Sequence, residues 1–335
     1  MEQDTLSSLT RNGKRLSCFE SGKLGSSSNS RYGKERLEHQ EHHRFRHILS
    51  VTSLALAGSL WGTGFLFGKI ALTEMTVSEN VAFRFVAGAV ALLPFVVRRW
   101  TPYRKSEWGM LLIASFIGTP VQFLIQFRGL QLTTVSHASL IVGALPVLLA
   151  ATSAWFLRER LRRLEWGVLA LSALGAVLIA VSGFQNTSGP RPSWQGDALI
   201  FVSLLAAVVM ILYSKKLIKN HDSLQVTVST IMIGTVMLLG WVELRHPVRF
   251  RFSAGVWGAA AAQGLLATAG AYIFWNWGLA HMPASRAGVF LNLEPLIGTL
   301  LGVLILHERL GVTAVLGGLL IVGAAVYFSI RPHQT

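Results

Sequence analysis

The chain has 335 residues, 52% of them hydrophobic and only 14% charged, with a formal net charge of +14. So little charge on so apolar a chain is foreign to a water-soluble domain, and a nucleic-acid partner is excluded by where the basic residues stand: in the first 47 positions and in short segments between apolar runs. What remains is a protein whose main solvent is the lipid bilayer.

Residues 1–47 are rich in Ser, Gly, Asn and Arg without an apolar period, and are expected to be a disordered, basic, cytoplasmic tail. The tail holds the single cysteine, Cys18, and the histidines His39, His42, His43 and His47, read as an exposed run rather than a metal site. Neither metal nor cofactor is expected. No apolar stretch typical of a cleavable signal precedes residue 48, so the first span is expected to serve as an uncleaved anchor.

A bilayer core of about 30 Å needs about 20 apolar residues per helix. Runs of that kind fall at roughly 48–72, 79–97, 107–127, 134–157, 164–183, 196–217, 224–243, 254–277, 284–306 and 312–330. Their length and uniform apolarity fit helices rather than the alternating strands of a barrel. The expected fold is therefore an all-α integral membrane protein of ten transmembrane helices.

Two segments about 149 residues apart repeat one another without a gap. They share Gly129/Gly278, Ser136/Ser285, Ala138/Ala287, Pro146/Pro295 and a closing Leu-x-Glu-Arg-Leu at 157–161 and 306–310. The expected halves are 48–183 and 196–331, five helices each, joined by a polar outer linker at 184–195. An odd number of spans inverts the second copy in the membrane. The Lys/Arg bias of the loops puts both termini in the cytoplasm, against one contrary loop, 244–253, whose Arg245, Arg249 and Arg251 fall on the expected outer side.

The chain resembles the ten-helix EamA-type permeases of the drug/metabolite transporter superfamily. The resemblance rests on Leu60-Trp61-Gly62 with Phe65, on Arg84-Phe85, and on Gly129-Leu130 with Ser136 and Ala138 leading to Pro146. The second copy carries it in Asn276-Trp277-Gly278-Leu279, Ser285, Ala287, Glu294-Pro295 and Glu308-Arg309-Leu310. It implies a carrier of small organic metabolites, often an exporter, working by alternating access, without implying one substrate.

The residues themselves define a candidate pathway. Glu294 is the one acidic side chain deep in a span, about ten residues or 15 Å from its start. A charge there costs about 2.5–3.5 kcal/mol on insertion scales, so it is expected to be protonated, paired or turned to a wet cavity. Handling substrate or protons is one role; bonding an unwound carbonyl beside Pro295 is the other. Pro146 and Pro295 stand at equivalent mid-span positions, each removing a backbone hydrogen bond, and paired interruptions point to a midplane site. Asn292, Gln122 and Gln126 either bind polar substrate groups or tie helices together. Trp61, Tyr272 and Trp275 are expected to line the path. Lys69 and Arg84 are expected at an outer vestibule, snorkelling to the interface or drawing in anionic groups. Lys215 is expected to be a charge at the inner mouth, and Ser136 and Ser285 to cap helices.

Gly58-x-x-x-Gly62 and Gly64-x-x-x-Gly68 let helices approach closely, within a monomer or across a homodimer. An enzyme is disfavoured because the three aspartates, Asp4, Asp197 and Asp222, all lie outside the deep parts of spans, and because His307-Glu308 lacks the second histidine of a zinc helix. A membrane receptor or scaffold without transport is the remaining alternative.

Overall fold

The computed structural model describes residues 25–96, 100–132, 141–183, 193–243, 249–306 and 312–330, and among them there are helices and connections but no strand. The chain divides into two units, Met1–Phe45 and Arg46–Thr335. In the first, the described residues are helical; the second carries the body of the bundle. In chain order the helices are α1 (Gly25–Ala71), α2 (Val77–Val96), α3 (Lys105–Phe116), α4 (Gln122–Leu132), α5 (Leu145–Phe156), α6 (Arg163–Gly183) and α7 (Trp194–Ile218). Then come α8 (Ser223–Glu243), α9 (Ala254–Ala262), α10 (Ala271–His281), α11 (Ala284–Ala287), α12 (Leu293–Leu306) and α13 (Val312–Ile330).

Five of these stretches are long and apolar enough to cross a membrane: Phe45–Gly68, Val77–Val96, Lys105–Leu132, Trp194–Ile218 and Ser223–Val242. Leu145–Phe156 and Val315–Phe328 are shorter apolar helices. Large apolar side chains such as Val90, Trp155, Val236, Leu304 and Leu319 are exposed on their outer faces. Such a surface is intolerable in water and suits lipid. The helix carrying the first span starts at Gly25, not 48. Residues 25–47, expected to lack regular structure, are helical because Lys34 to Arg46 is built largely of good helix formers such as Leu, Glu, Gln, Lys and Arg.

Local sequence sets the helix starts. Glu79, Glu107 and Glu165 each sit three residues after a start and accept from the backbone N–H of Thr76, Arg104 and Arg162, each at 2.8 Å. Ser193 and Ser253 cap α7 and α9 through Gly196 and Val256. One such carboxylate also answers the contrary arginine loop. Glu79 accepts from Arg249 Nε at 2.9 Å and Nη2 at 2.8 Å, and Arg249 Nη2 donates to Glu74 O at 3.0 Å. The arginine clasps two loops, and Glu79 holds its guanidinium above the ordinary value. Beside it, hydrogen bonds from Ser253 hold the Glu74 carboxyl below the usual carboxylate range.

Several spans are broken by other helix types. A π-helical turn, Ile117–Val121, joins α3 to α4 around Pro120, whose missing N–H breaks the regular ladder. A longer π-helical stretch, Gln263–Gly270, joins α9 to α10, and a 3₁₀ stretch, Gly288–Asn292, joins α11 to α12. These interruptions correct the reading of the two prolines. Pro146 and Pro295 stand in the first turns of α5 and α12, where a missing N–H costs nothing, and the break precedes each of them.

Glycines bring these broken stretches into backbone contact with α1 and α2. A Cβ on Gly62 would lie 2.8 Å from Glu294 O, and one on Gly68 would lie 2.8 Å from Gln263 Nε2. Both glycine pairs of α1 thus serve packing inside the chain. The equivalent glycines of the repeated segments are used alike: Gly129 abuts Gly196 O and Ile200 of α7, and Gly278 abuts Ser50 O and Leu54 of α1.

Candidate functional site

A cavity lies between these elements, lined by α1, α2, α4, α5, α7, α10 and the junction of the 3₁₀ stretch with α12. The centre of a water molecule can move through about 80 Å³ of it. One water needs about 10–15 Å³, so there is room for several, or for a small polar ligand. Most of the wall is apolar, from Phe123, Phe127, Leu130, Met210 and their neighbours; the polar groups are Arg84, Gln122, Gln126, Tyr272 and Glu294, with Trp61 beside them.

Arg84 occupies the second turn of α2 and is only 4% exposed. Its Nε donates to Thr268 Oγ1 at 2.8 Å and its Nη2 to Ala267 O at 3.1 Å, both on the π-helical stretch. The guanidinium carbon lies 4.5 Å from the centre of the Phe123 ring, within cation–π range. Among the described residues no carboxylate forms an ion pair with it. Glu294 faces the same cavity, with no salt bridge to Arg84 among the described residues. A buried guanidinium and a carboxyl group share one cavity without pairing.

Of the residues singled out in the sequence, Glu294, Gln122, Gln126, Trp61 and Tyr272 line the cavity. Arg84 lines it too, not an outer vestibule, because its helix buries it against the π-helical stretch Gln263–Gly270. The side chain of Lys69 lies outside the described residues. Trp275 is wholly buried behind the wall, its ring 5.3 Å from that of Trp61. Asn292 ties helices together: its Nδ2 donates to Ser172 Oγ of α6 at 2.9 Å. Pro146 packs on Gly288, where α5 meets the 3₁₀ stretch, and neither it nor Pro295 is in the cavity wall. Sequence reading missed Thr268 and Phe123. Thr268 carries no signal along the chain, since its partner Arg84 is 184 positions away.

Charged side chains tie together the ends of helices around the cavity. Lys215 Nζ donates to the carbonyls of Leu279 and Met282, so the lysine expected at a mouth instead satisfies the end of α10. Glu159 accepts from the N–H groups of Ala284 and Ser285, each at 2.9 Å. That corrects the cap expected from Ser285, whose buried hydroxyl has no partner among the described residues. Arg286 and Glu165, both buried, form an ion pair beside it. Ser136, the histidines of the tail other than His47, and the linker up to 192 lie outside the described side chains, among which no three potential metal ligands cluster.

Broken helices cross around a largely apolar cavity with a few polar groups, and among the described residues the bundle is helical with a lipid-facing surface, an architecture compatible with a membrane transporter. The chain belongs to the EamA-like transporter family, whose model matches residues 48–181 and again 194–330. It is similar to the uncharacterized transporter YetK of Bacillus subtilis (strain 168), 24% identical over 284 residues that cover 81% of this chain and 86% of YetK. An uncharacterized transporter of Archaeoglobus fulgidus is 27% identical over 288 residues, covering 84% of this chain and 97% of its own. A crystal structure at 18% identity superposes with a TM-score of 0.70, over 84% of this chain and 97% of the other. It bears on the fold alone.

Proposed function

We propose that the protein is a secondary-active transporter, working as an exporter of small organic metabolites such as amino acids or drug-like compounds, by alternating access in the plasma (inner) membrane. The observation that carries this reading is the cavity that holds Arg84 and Glu294 apart, walled by helices from both segments matched by the family model. Glu159, bonded to the N–H groups of Ala284 and Ser285, and the Arg286–Glu165 pair join the two halves, contacts that a rocking of the halves would have to break.

In this reading ten spans form two inverted repeats of five, with both termini cytoplasmic. The matched packing of Gly129 and Gly278, each against the first helix of the other half, supports it. So do the π-helical stretches that interrupt the third and eighth spans. The site would lie at the repeat interface, near the bilayer midplane.

The test is flux. Purified protein in proteoliposomes, loaded with labelled amino acids and antimetabolites, is expected to release them faster than empty liposomes, and faster still under a pH gradient. Saturable binding without flux under any gradient would favour the receptor alternative and overturn the proposal.

A further inference from the structure

We infer that Thr268 is the positioning residue that aims the guanidinium of Arg84 into the cavity, and that the molecule bound there presents an oxyanion, a carboxylate or a phosphate, to that guanidinium. This rests on the reading of the cavity as the transport site and adds what that reading leaves open: the charge its ligand must carry.

The arrangement is built from the sequence upward. Gly88 on α2 faces Thr268, and a Cβ at Gly88 would lie 2.8 Å from Thr268 Cγ2. Gly264, on the same π-helical stretch as Thr268, lets α2 approach until backbone meets backbone, a Cβ there falling 2.9 Å from Gly88 N. The two glycines set Arg84 directly against Thr268 and Ala267. Short π-helical insertions are a recurrent device for turning groups into functional sites.

A guanidinium has five N–H donors in a rigid fork. Thr268 Oγ1 and Ala267 O each take one, from Nε and Nη2. The other donors have no hydrogen-bond partner among the described residues, and Arg84 lines the cavity. Anchored at Nε and at one Nη2 hydrogen, with its face on Phe123, the fork has little freedom to turn. A cation so buried is costly to leave without an opposite charge. If Arg84 were present only to bind α2 to the eighth span, a neutral donor such as Gln would serve without that cost, as Gln263 does for Gly64 O at 2.8 Å. Glu294, the other ionisable group on the wall, can accept from a donor or ammonium at the ligand's far end. The lining of Phe123, Phe127 and Trp61 suits an aromatic or aliphatic body between the two ends.

The experiment uses the full-length protein in lipid nanodiscs and three probes with a shared phenyl body: 3-phenylpropionate, phenyl phosphate and 2-phenylethylamine. Affinity is read by isothermal titration and by thermal stabilisation. At least one anionic probe is expected to bind the wild type, and which one tells a carboxylate from a phosphate. Thr268→Val, which keeps the shape and deletes the acceptor, is expected to weaken that probe at least tenfold while changing the amine less than twofold. Thr268→Ser is expected to restore it. Should the valine variant not reach the membrane, Thr268→Cys replaces it, with the same loss expected. Equal weakening of acid and amine would make Thr268 a merely structural contact and overturn the inference. Binding of the amine alone, or of no anionic probe by the wild type, overturns it as well. Binding without flux in proteoliposomes would sink the transport reading and leave this one standing; flux of cations alone would do the reverse.

Discussion

The Arg286–Glu165 pair offers a direct way to move the protein between conformations. Both side chains are buried, at 8% and 3% exposure. Glu165 opens α6, while Arg286 lies in the short helix before the 3₁₀ stretch. Removing one partner of a buried pair leaves the other charge unpaired, a loss of about 3–5 kcal/mol. Glu165→Gln keeps the volume, and its amide oxygen can still accept from Arg286, so the lower end, about 3 kcal/mol, is the appropriate figure. If the pair exists only while this side is closed, that energy falls on the closed-to-open equilibrium and raises the open fraction roughly a hundredfold, at about 1.4 kcal/mol per factor of ten.

The assay is access to the cavity. In a Cys18→Ser background, a single cysteine at Ala207, in the cavity wall, is exposed to an impermeant thiol reagent applied separately to each face of sealed vesicles. Glu165→Gln is expected to speed labelling at least tenfold from the face bearing loops 157–162 and 282–283. The double variant Glu165→Gln/Arg286→Gln removes both charges and is expected to fall back toward the parent rate. Unchanged labelling in the single variant, at normal membrane abundance, would refute the claim that this pair holds the side closed.

Three further outcomes are expected. Glu294→Gln should reach the membrane normally yet lose concentrative transport or its dependence on pH, with Glu294→Asp partly active; near-normal, pH-dependent flux in the Gln variant would remove the carboxylate from the mechanism. Gly62→Ala places a Cβ 2.8 Å from both Glu294 O and Ile297 Cβ, so overpacking of about 1–3 kcal/mol should lower the melting temperature, whereas Gly167→Ala, with nothing within 4 Å, should not. Single cysteines at Ser188 and Ser223 should differ in labelling, Ser188 reacting in intact cells and Ser223 only after lysis; the reverse would overturn the proposed orientation.

The apolar runs were legible because a lipid-facing helix writes its environment into about 20 consecutive residues. Glu294 was legible for the converse reason, as the one acidic side chain set deep in such a run. Arg84 was misplaced because its setting depends on Thr268 and Ala267, far along the chain, and a residue near a span's end reads as interfacial from sequence alone. The amides divide on the same ground: Gln122 and Gln126 reach the cavity, while Asn292 finds Ser172 and Gln263 finds a carbonyl of α1. Nothing local separates the two fates. The break beside each proline was legible, but not that it comes before the proline, since the 3₁₀ stretch at Gly288–Asn292 follows from how α11 packs against α5.

The repeated segments also explain why the site is chemically lopsided inside a repetitive frame. Glu294 and Leu145 occupy equivalent positions of the two copies, and both line the cavity; at the same offset, so do Tyr272 and Phe123. The frame residues have kept their type, as Gly129 and Gly278 have, because close approach of two helices tolerates nothing larger at either place. The lining faces no such constraint and has diverged, each pair keeping an apolar or aromatic member on one side and gaining a polar one on the other. Two carboxylates across so small a cavity would repel each other, and two apolar residues would leave Arg84 facing no charge at all. The polar groups differ between the copies: Glu294 and Tyr272 come from the second, Arg84, Gln122 and Gln126 from the first, which gives the cavity a direction. If the cavity is the transport site proposed above, a ligand with distinct ends would bind in one orientation, which neither copy alone specifies.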